Sequence, residues 1–224
     1  MLHLHALLWI KHGLTPQEVR DRILDENSDF QTRLVQYIES VQKGEFYTGT
    51  MATVAVRARE EEASPNYQCP TLCLPEKAPA PCEPHFSNES ETECLKCTTS
   101  NSWWSNVFQK VVDIILFRSN RHSCEKGGCK TNKLHNCKAR FPRDTYLESS
   151  IDPDTGSLRL RKGEAWLNTF SPILTFLMRC NTDVTNLLSG TAIKAVIAYT
   201  TDYIIKPGLQ THVMFDAVKT VFEK

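Results

Sequence analysis

His3-Leu4-His5-Ala6-Leu7-Leu8-Trp9-Ile10 is the stretch on which the fold reading turns. It is apolar, and Lys11-His12-Gly13 bounds it, so it predicts a strand. Side chains alternate across a strand, so His3 and His5 share one face and Leu4, Ala6 and Leu8 the other. Two imidazoles on one rigid face suit a shared metal ion; the plainer alternative is two ordinary histidines near a chain end.

Outward from this strand, the predicted elements are mostly helical. Thr15-Pro16-Gln17-Glu18 reads as a capping box with proline at the first helical position, opening a helix with Val19, Ile23 and Leu24. Ser28-Asp29-Phe30-Gln31 repeats the signal before Leu34, Val35, Ile38 and Val41. Ser102 is a candidate cap for a third helix, in which Val107, Phe108, Val111, Val112 and Ile115 recur at helical spacing. Ile151 to Gly156 reads as a turn into the alternating Ser157-Leu158-Arg159-Leu160-Arg161. Helices are expected through Pro172–Met178 and from about Thr191 to Lys206, where Pro207-Gly208 ends the run. The expected class is α+β, an antiparallel sheet flanked by helices with a Cys/Pro-rich insertion.

The chain has 224 residues, and its 26 basic and 26 acidic residues cancel. The cancellation is not local. From Glu60 to Cys97, eight acids face two bases, Lys77 and Lys96, for a net of −6, and six of the eleven prolines crowd there. Such a segment cannot bury enough apolar surface to offset its ordering entropy, so a loose insertion is expected. From Arg118 to Arg143, eight bases face Glu125 alone, for a net of +7. A basic block of that density binds phosphates, or is simply a solvated face. The expected organisation is 1–58 (histidine strand and helical pair), 59–101 (acidic insertion) and 102–224 (helix, basic Cys-rich segment and tyrosine helix).

No apolar run approaches the roughly 18–20 residues that span a bilayer, and the first ten residues lack a basic start and a cleavage site. An intracellular protein outside membranes is therefore expected, with its nine cysteines as thiols or metal ligands. His122 or His135 with Cys124, Cys129 and Cys137 makes a candidate Cys3His zinc site inside the basic block, where Lys138, Arg140 and Arg143 would be held for phosphate contact. Cys69, Cys73, Cys94 and Cys97 form a second candidate set, with Cys82 and His85 as alternative ligands and free thiols as the alternative state. Cys180, in an apolar stretch, is expected in the core. Trp103-Trp104 suits either base stacking or core packing. Tyr199 and Tyr203, four apart on the last helix, share a face with Lys206. Gly44 to Gly49 is followed by Thr50 rather than Lys, so no phosphate loop is present and no nucleoside triphosphate is an expected partner.

Three modules in order carry a resemblance: the His3–Trp9 segment; Lys138-Ala139-Arg140-Phe141-Pro142-Arg143 after the cysteines; and Arg179 to Val184 followed by Ala198 to Lys206. Together they resemble the Helitron-type replication-initiator (HUH) endonucleases, the "Helitron helicase-like" domain of fungal transposons. The resemblance implies a nuclear protein that nicks and transfers single-stranded DNA. It implies magnesium or manganese at His3 and His5, Tyr199 and Tyr203 as nucleophiles, and Lys206 stabilising the transition state. Only Met1 and Leu2 precede the histidines, so the expected domain is a fragment lacking its first strands, with Asp183 as a substitute third ligand. The competing expectations are a non-catalytic remnant that binds nucleic acid through a zinc-stabilised basic module, and a cellular protein that kept the domain for protein contacts.

Overall fold

The computed structural model describes residues 4–8, 11, 13–25, 28–80, 94–125, 129, 136–152, 154, 156–187, 194–198 and 201. Its contacts divide the chain into two units, Met1–Ser28 with Asn186–Lys224, and Asp29–Thr185. The expected segment 1–58 thus spans parts of both.

In the first unit, α1 (Pro16–Ile23) begins as the sequence predicts. The Thr15 hydroxyl accepts from the Glu18 N–H, the Glu18 carboxylate accepts from the Thr15 N–H at 2.7 Å, and Pro16 occupies the first turn. These Thr15 hydrogen bonds hold the Glu18 carboxyl below the usual carboxylate range. Val19 and Ile23 are buried, one turn apart on one face. Residues 194–198 are helical, within the expected last helix. The expected histidine strand is different: residues 4–8 belong to no strand, and Leu4 and Leu8 are 82% and 80% exposed. A strand needs the backbone ladder of a neighbouring strand, and apolar alternation by itself does not supply one.

The second unit starts with α2 (Phe30–Val41), whose Ile38 is buried. The helix stands where expected, but its cap does not form. Asp29 occupies the cap position without a side-chain hydrogen bond, and the Ser28 hydroxyl donates back to the Asp25 carbonyl. Next comes α3 (Met51–Glu62), which the sequence reading did not anticipate. Thr50 and Thr53 cap it reciprocally through their hydroxyls, and Val54 and Ala58 face the core. Its last turn lies within the acidic segment, so that segment begins as ordered helix.

A long helix then crosses the core: α4 (Leu95–Trp103), a π turn (Trp104–Phe108), α5 (Gln109–Ile115) and a second π turn (Leu116–Asn120). It starts at Leu95, seven residues before the expected cap at Ser102. Val112 to Leu116 are all buried, the mark of a helix surrounded on every side. Asp113, fully buried among them, accepts the N–H groups of Tyr47 and Thr48 at 2.8 and 2.9 Å and meets the Arg57 guanidinium at 3.3 Å. A buried carboxylate survives because it is hydrogen-bonded and paired, and here it ties the turn before α3 to the central helix.

The sheet content is small. The strands β1 (Ser150–Ile151) and β2 (Leu158–Arg159) form an antiparallel hairpin around the predicted turn. The described residues therefore give mixed helix with a two-stranded antiparallel sheet, smaller than the flanked sheet expected. Beyond β2, the chain from 162 to 170 acts as a backbone spine: Lys162 pairs with Tyr146, Leu167 with Arg121, and Phe170 with Lys43. Leu167 and Phe170 point into the core beside Phe46, Val54, Phe108, Val112 and Leu116. Finally α6 (Pro172–Met178) covers the core with Phe176, matching the expected helix residue for residue. Arg179 ends it in the left-handed region at φ 54°, and the following Cys180 is exposed rather than in the core. Trp103 packs edge-on against Phe176, whereas Trp104 lies parallel on Phe108 at 4.2 Å and stays 40% exposed.

Candidate metal centre

The spine positions a cluster of four ligands. Where the long helix ends, the His122 N–H donates to the Trp166 carbonyl at 2.9 Å; farther along, the Arg143 N–H donates to the Ala165 carbonyl at 2.9 Å. Both ends of the segment 122–143 are therefore tied to two adjacent residues of the spine, Ala165 and Trp166, which brings those ends together. Inside the loop, the Lys138 N–H donates to the Cys129 carbonyl and the Arg140 N–H to the Cys137 carbonyl. Arg140 takes the left-handed conformation, φ 61°, that reverses the chain after the last cysteine.

The ligand atoms of His122, Cys124, Cys129 and Cys137 all lie within 4.8 Å of one another. The His122 Nε2 stands 3.5, 3.4 and 3.2 Å from the sulfurs of Cys124, Cys129 and Cys137, and the last two sulfurs are 3.3 Å apart. A tetrahedral ion with metal–sulfur bonds of about 2.3 Å and metal–nitrogen bonds of about 2.0 Å sets N···S at about 3.5 Å and S···S at about 3.8 Å. The observed spacings fall slightly inside that frame, so the four residues can hold a metal ion such as zinc. The histidine of this set is His122, one of the two candidates; the other, His135, lies outside the described residues.

Thiol electrostatics point the same way. Burial, with the neighbouring Cys137 and Cys129, pushes the Cys124 thiol up to about 11. Burial also raises Cys137, but the N–H groups of Phe141 and Ala139 and the thiols of Cys129 and Cys124 outweigh it and hold Cys137 below its ordinary value. Sulfurs this close cannot all ionise without a cation among them. The wall beside them is aromatic: the His122 ring stacks on buried Phe141 at 4.4 Å, and Trp166 lies parallel to both.

Lys138, Arg140 and Arg143 are exposed around the loop, with the Arg143 guanidinium 4.8 Å over the Phe141 ring. Arg143 also acts on Asp183, whose carboxyl burial pushes up while Arg143 and Lys162 draw it back. Among the described residues, no set of three or more ligands other than the His122 cluster comes together. Asp183 therefore joins no such set, and no three of Cys69, Cys73, Cys94 and Cys97 form one. His5 is exposed; His3, Tyr199, Tyr203, Lys206, Cys82, His85 and His135 lie outside the described residues. The sequence reading missed Trp166, which carries no local signal because its role comes from the strand pairing that sets it beside His122. No helix of the described residues is long and apolar enough to cross a membrane. Comparison with protein-family models, with curated proteins and with solved structures finds no match to this chain.

Proposed function

We propose that this chain binds single-stranded DNA through a basic loop folded around one zinc ion at His122, Cys124, Cys129 and Cys137, as part of a Helitron-type strand-nicking domain. The observation that carries the reading is the convergence of those four ligands inside the +7 segment. Four protein ligands leave no open coordination position, so the ion's work is structural: it folds a stretch too polar to fold by burial alone. Lys138, Arg140 and Arg143 then stand on a rigid loop and contact phosphates with little further loss of side-chain freedom.

Nicking is the part that rests on the resemblance. A divalent magnesium or manganese ion at His3 and His5 supplies polarisation of the scissile phosphate when bound. The hydroxyl oxygen of Tyr199 or Tyr203 attacks phosphorus, giving up its proton, and the bond to the 3′ oxygen breaks. A 5′-phosphotyrosine and a protonated 3′-hydroxyl result, with Lys206 near the developing charge. A second reading, the non-catalytic zinc-stabilised remnant, is favoured by one observation: residues 4–8 form no strand to aim the histidines.

One experiment separates the readings. Zinc-loaded chain is incubated with manganese and a labelled single strand, then boiled in detergent. A resistant adduct that disappears in Tyr199→Phe/Tyr203→Phe supports the nicking domain. Binding without an adduct, weakening steeply with salt, supports the remnant. Absence of binding at low salt overturns both.

A further inference from the structure

Beside the metal centre, the second unit holds a half-open polar cavity of about 290 Å³ between the last turn of the long helix and the spine. Arg121, His122, Ser123, Phe141, Asn168 and Asn181 line it. His122 and Phe141 belong to both sites, so a loaded metal centre also fixes one wall of the cavity.

The polar groups in this wall differ in how far they are used. Asn120 is consumed by the fold: its Nδ2 donates to the Thr182 carbonyl at 2.6 Å, and its Oδ1 accepts from the Thr182 N–H. Arg118 is consumed as well, bridged to Glu62 at 3.1 Å and laid over the Tyr67 ring. Among the described residues, Asn168, Asn181 and Ser123 make no side-chain hydrogen bond, and Arg121 has no carboxylate partner; its guanidinium rests 4.8 Å over the Phe117 ring. Two carboxamides, each offering a donor and an acceptor, therefore face one concave volume with an unpaired guanidinium at its rim. That combination matches a nucleotide: amide groups suit the hydrogen-bonding edge of a base, and guanidinium suits a phosphate. The volume lies at the low end of the roughly 300–1,000 Å³ of small-ligand clefts, enough for one base and too little for a duplex.

We propose that this cavity receives one unstacked nucleotide of the bound strand, with Arg121 on its phosphate and Asn168 and Asn181 reading the edge of its base. The inference rests on the DNA-binding reading above and deepens it, because phosphate contacts position a strand without reading it. It makes the module selective among bases, which the exposed Lys138, Arg140 and Arg143 alone would not.

The test measures fluorescence anisotropy of zinc-loaded full-length chain with labelled dA, dC and dT 12-mers. Wild type is expected to prefer one homopolymer by about fivefold or more. Asn168→Leu/Asn181→Leu should bring that ratio close to one by weakening the preferred homopolymer about fivefold, and Arg121→Gln should weaken all three homopolymers several-fold. A zinc content of one per chain in each variant certifies its fold. Equal wild-type affinity for all homopolymers, or variants that bind as wild type does, overturns the nucleotide subsite and leaves the DNA-binding reading standing. No binding by wild type overturns the DNA-binding reading and the subsite with it.

Discussion

Two cysteine-rich segments of opposite charge are joined by the long helix, and among the described residues only the basic one gathers its thiols into a set of three or more. The acidic segment has the tidier spacing, a Cys-x3-Cys at 69 and 73 and a Cys-x2-Cys at 94 and 97. Yet Cys69 bonds to the Thr71 hydroxyl and Cys73 to the Pro70 carbonyl, while Cys94 and Cys97 stand at the start of α4. The basic segment has irregular gaps of one, four and seven residues, but the spine ties both its ends to adjacent backbone positions. Convergence of ligands follows from where the chain is anchored more than from how its cysteines are spaced.

The sharpest way to break this contrast is to remove one ligand from each segment. Cys137→Ser is expected to reduce bound zinc from one per chain to near zero by atomic absorption, with loss of protease resistance across 122–143. Cys97→Ser should leave the zinc content at one. Structural zinc contributes about 10–16 kcal/mol of apparent binding free energy in isolated finger peptides, so this is the largest expected effect. Equal loss in both variants would erase the distinction.

Packing should show the same asymmetry more mildly. Phe141, 7% exposed and stacked on His122, is expected to cost about 3–5 kcal/mol in urea unfolding when replaced by alanine. Leu74, 89% exposed in the acidic segment, should cost no more than about 0.5 kcal/mol on the same substitution.

Thiol chemistry distinguishes the segments last. Burial tends to raise the Cys69 thiol, but hydrogen bonds from Thr71 and Tyr67 outweigh it and leave Cys69 below its ordinary value. In zinc-loaded protein at pH 7.5, iodoacetamide should modify Cys69 several-fold faster than Cys124, Cys129 or Cys137, read by peptide mass. Chelation should abolish the protection of those three and leave the Cys69 rate unchanged. A Cys69 rate that rises with chelation would mean that Cys69 also binds metal.

Local chemistry was legible in the sequence wherever one turn of chain sufficed. The Thr15–Glu18 box, the 172–178 helix and the hairpin turn at 152–157 are decided by residues three or four apart. The α3 helix escaped because its buried face is as small as Val54 and Ala58, with Met51 packed beside them, and its cap pairs two threonines instead of threonine with glutamate. Residues 4–8 of the expected His3–Ile10 strand form no strand, because alternation states which faces a strand would present and does not supply the strand it would pair with. Within the metal centre, the ligand types were visible as cysteine and histidine in an otherwise polar run. The place of His122 in the set and the Trp166 wall depend on spine pairings dozens of residues apart.

The π turn at Leu116–Asn120 has a bearing on how this molecule tolerates change. A π turn holds one residue more than the α ladder requires, and one residue is worth about 100° of helical rotation. Deleting one residue between 116 and 120 would let the helix return to ordinary winding with the residues after it still in phase, so Arg121 and His122 would keep their places against the spine. The wider turn is thus a reserve of one residue between the core and the metal centre, and a one-residue deletion here should leave the zinc content near one per chain.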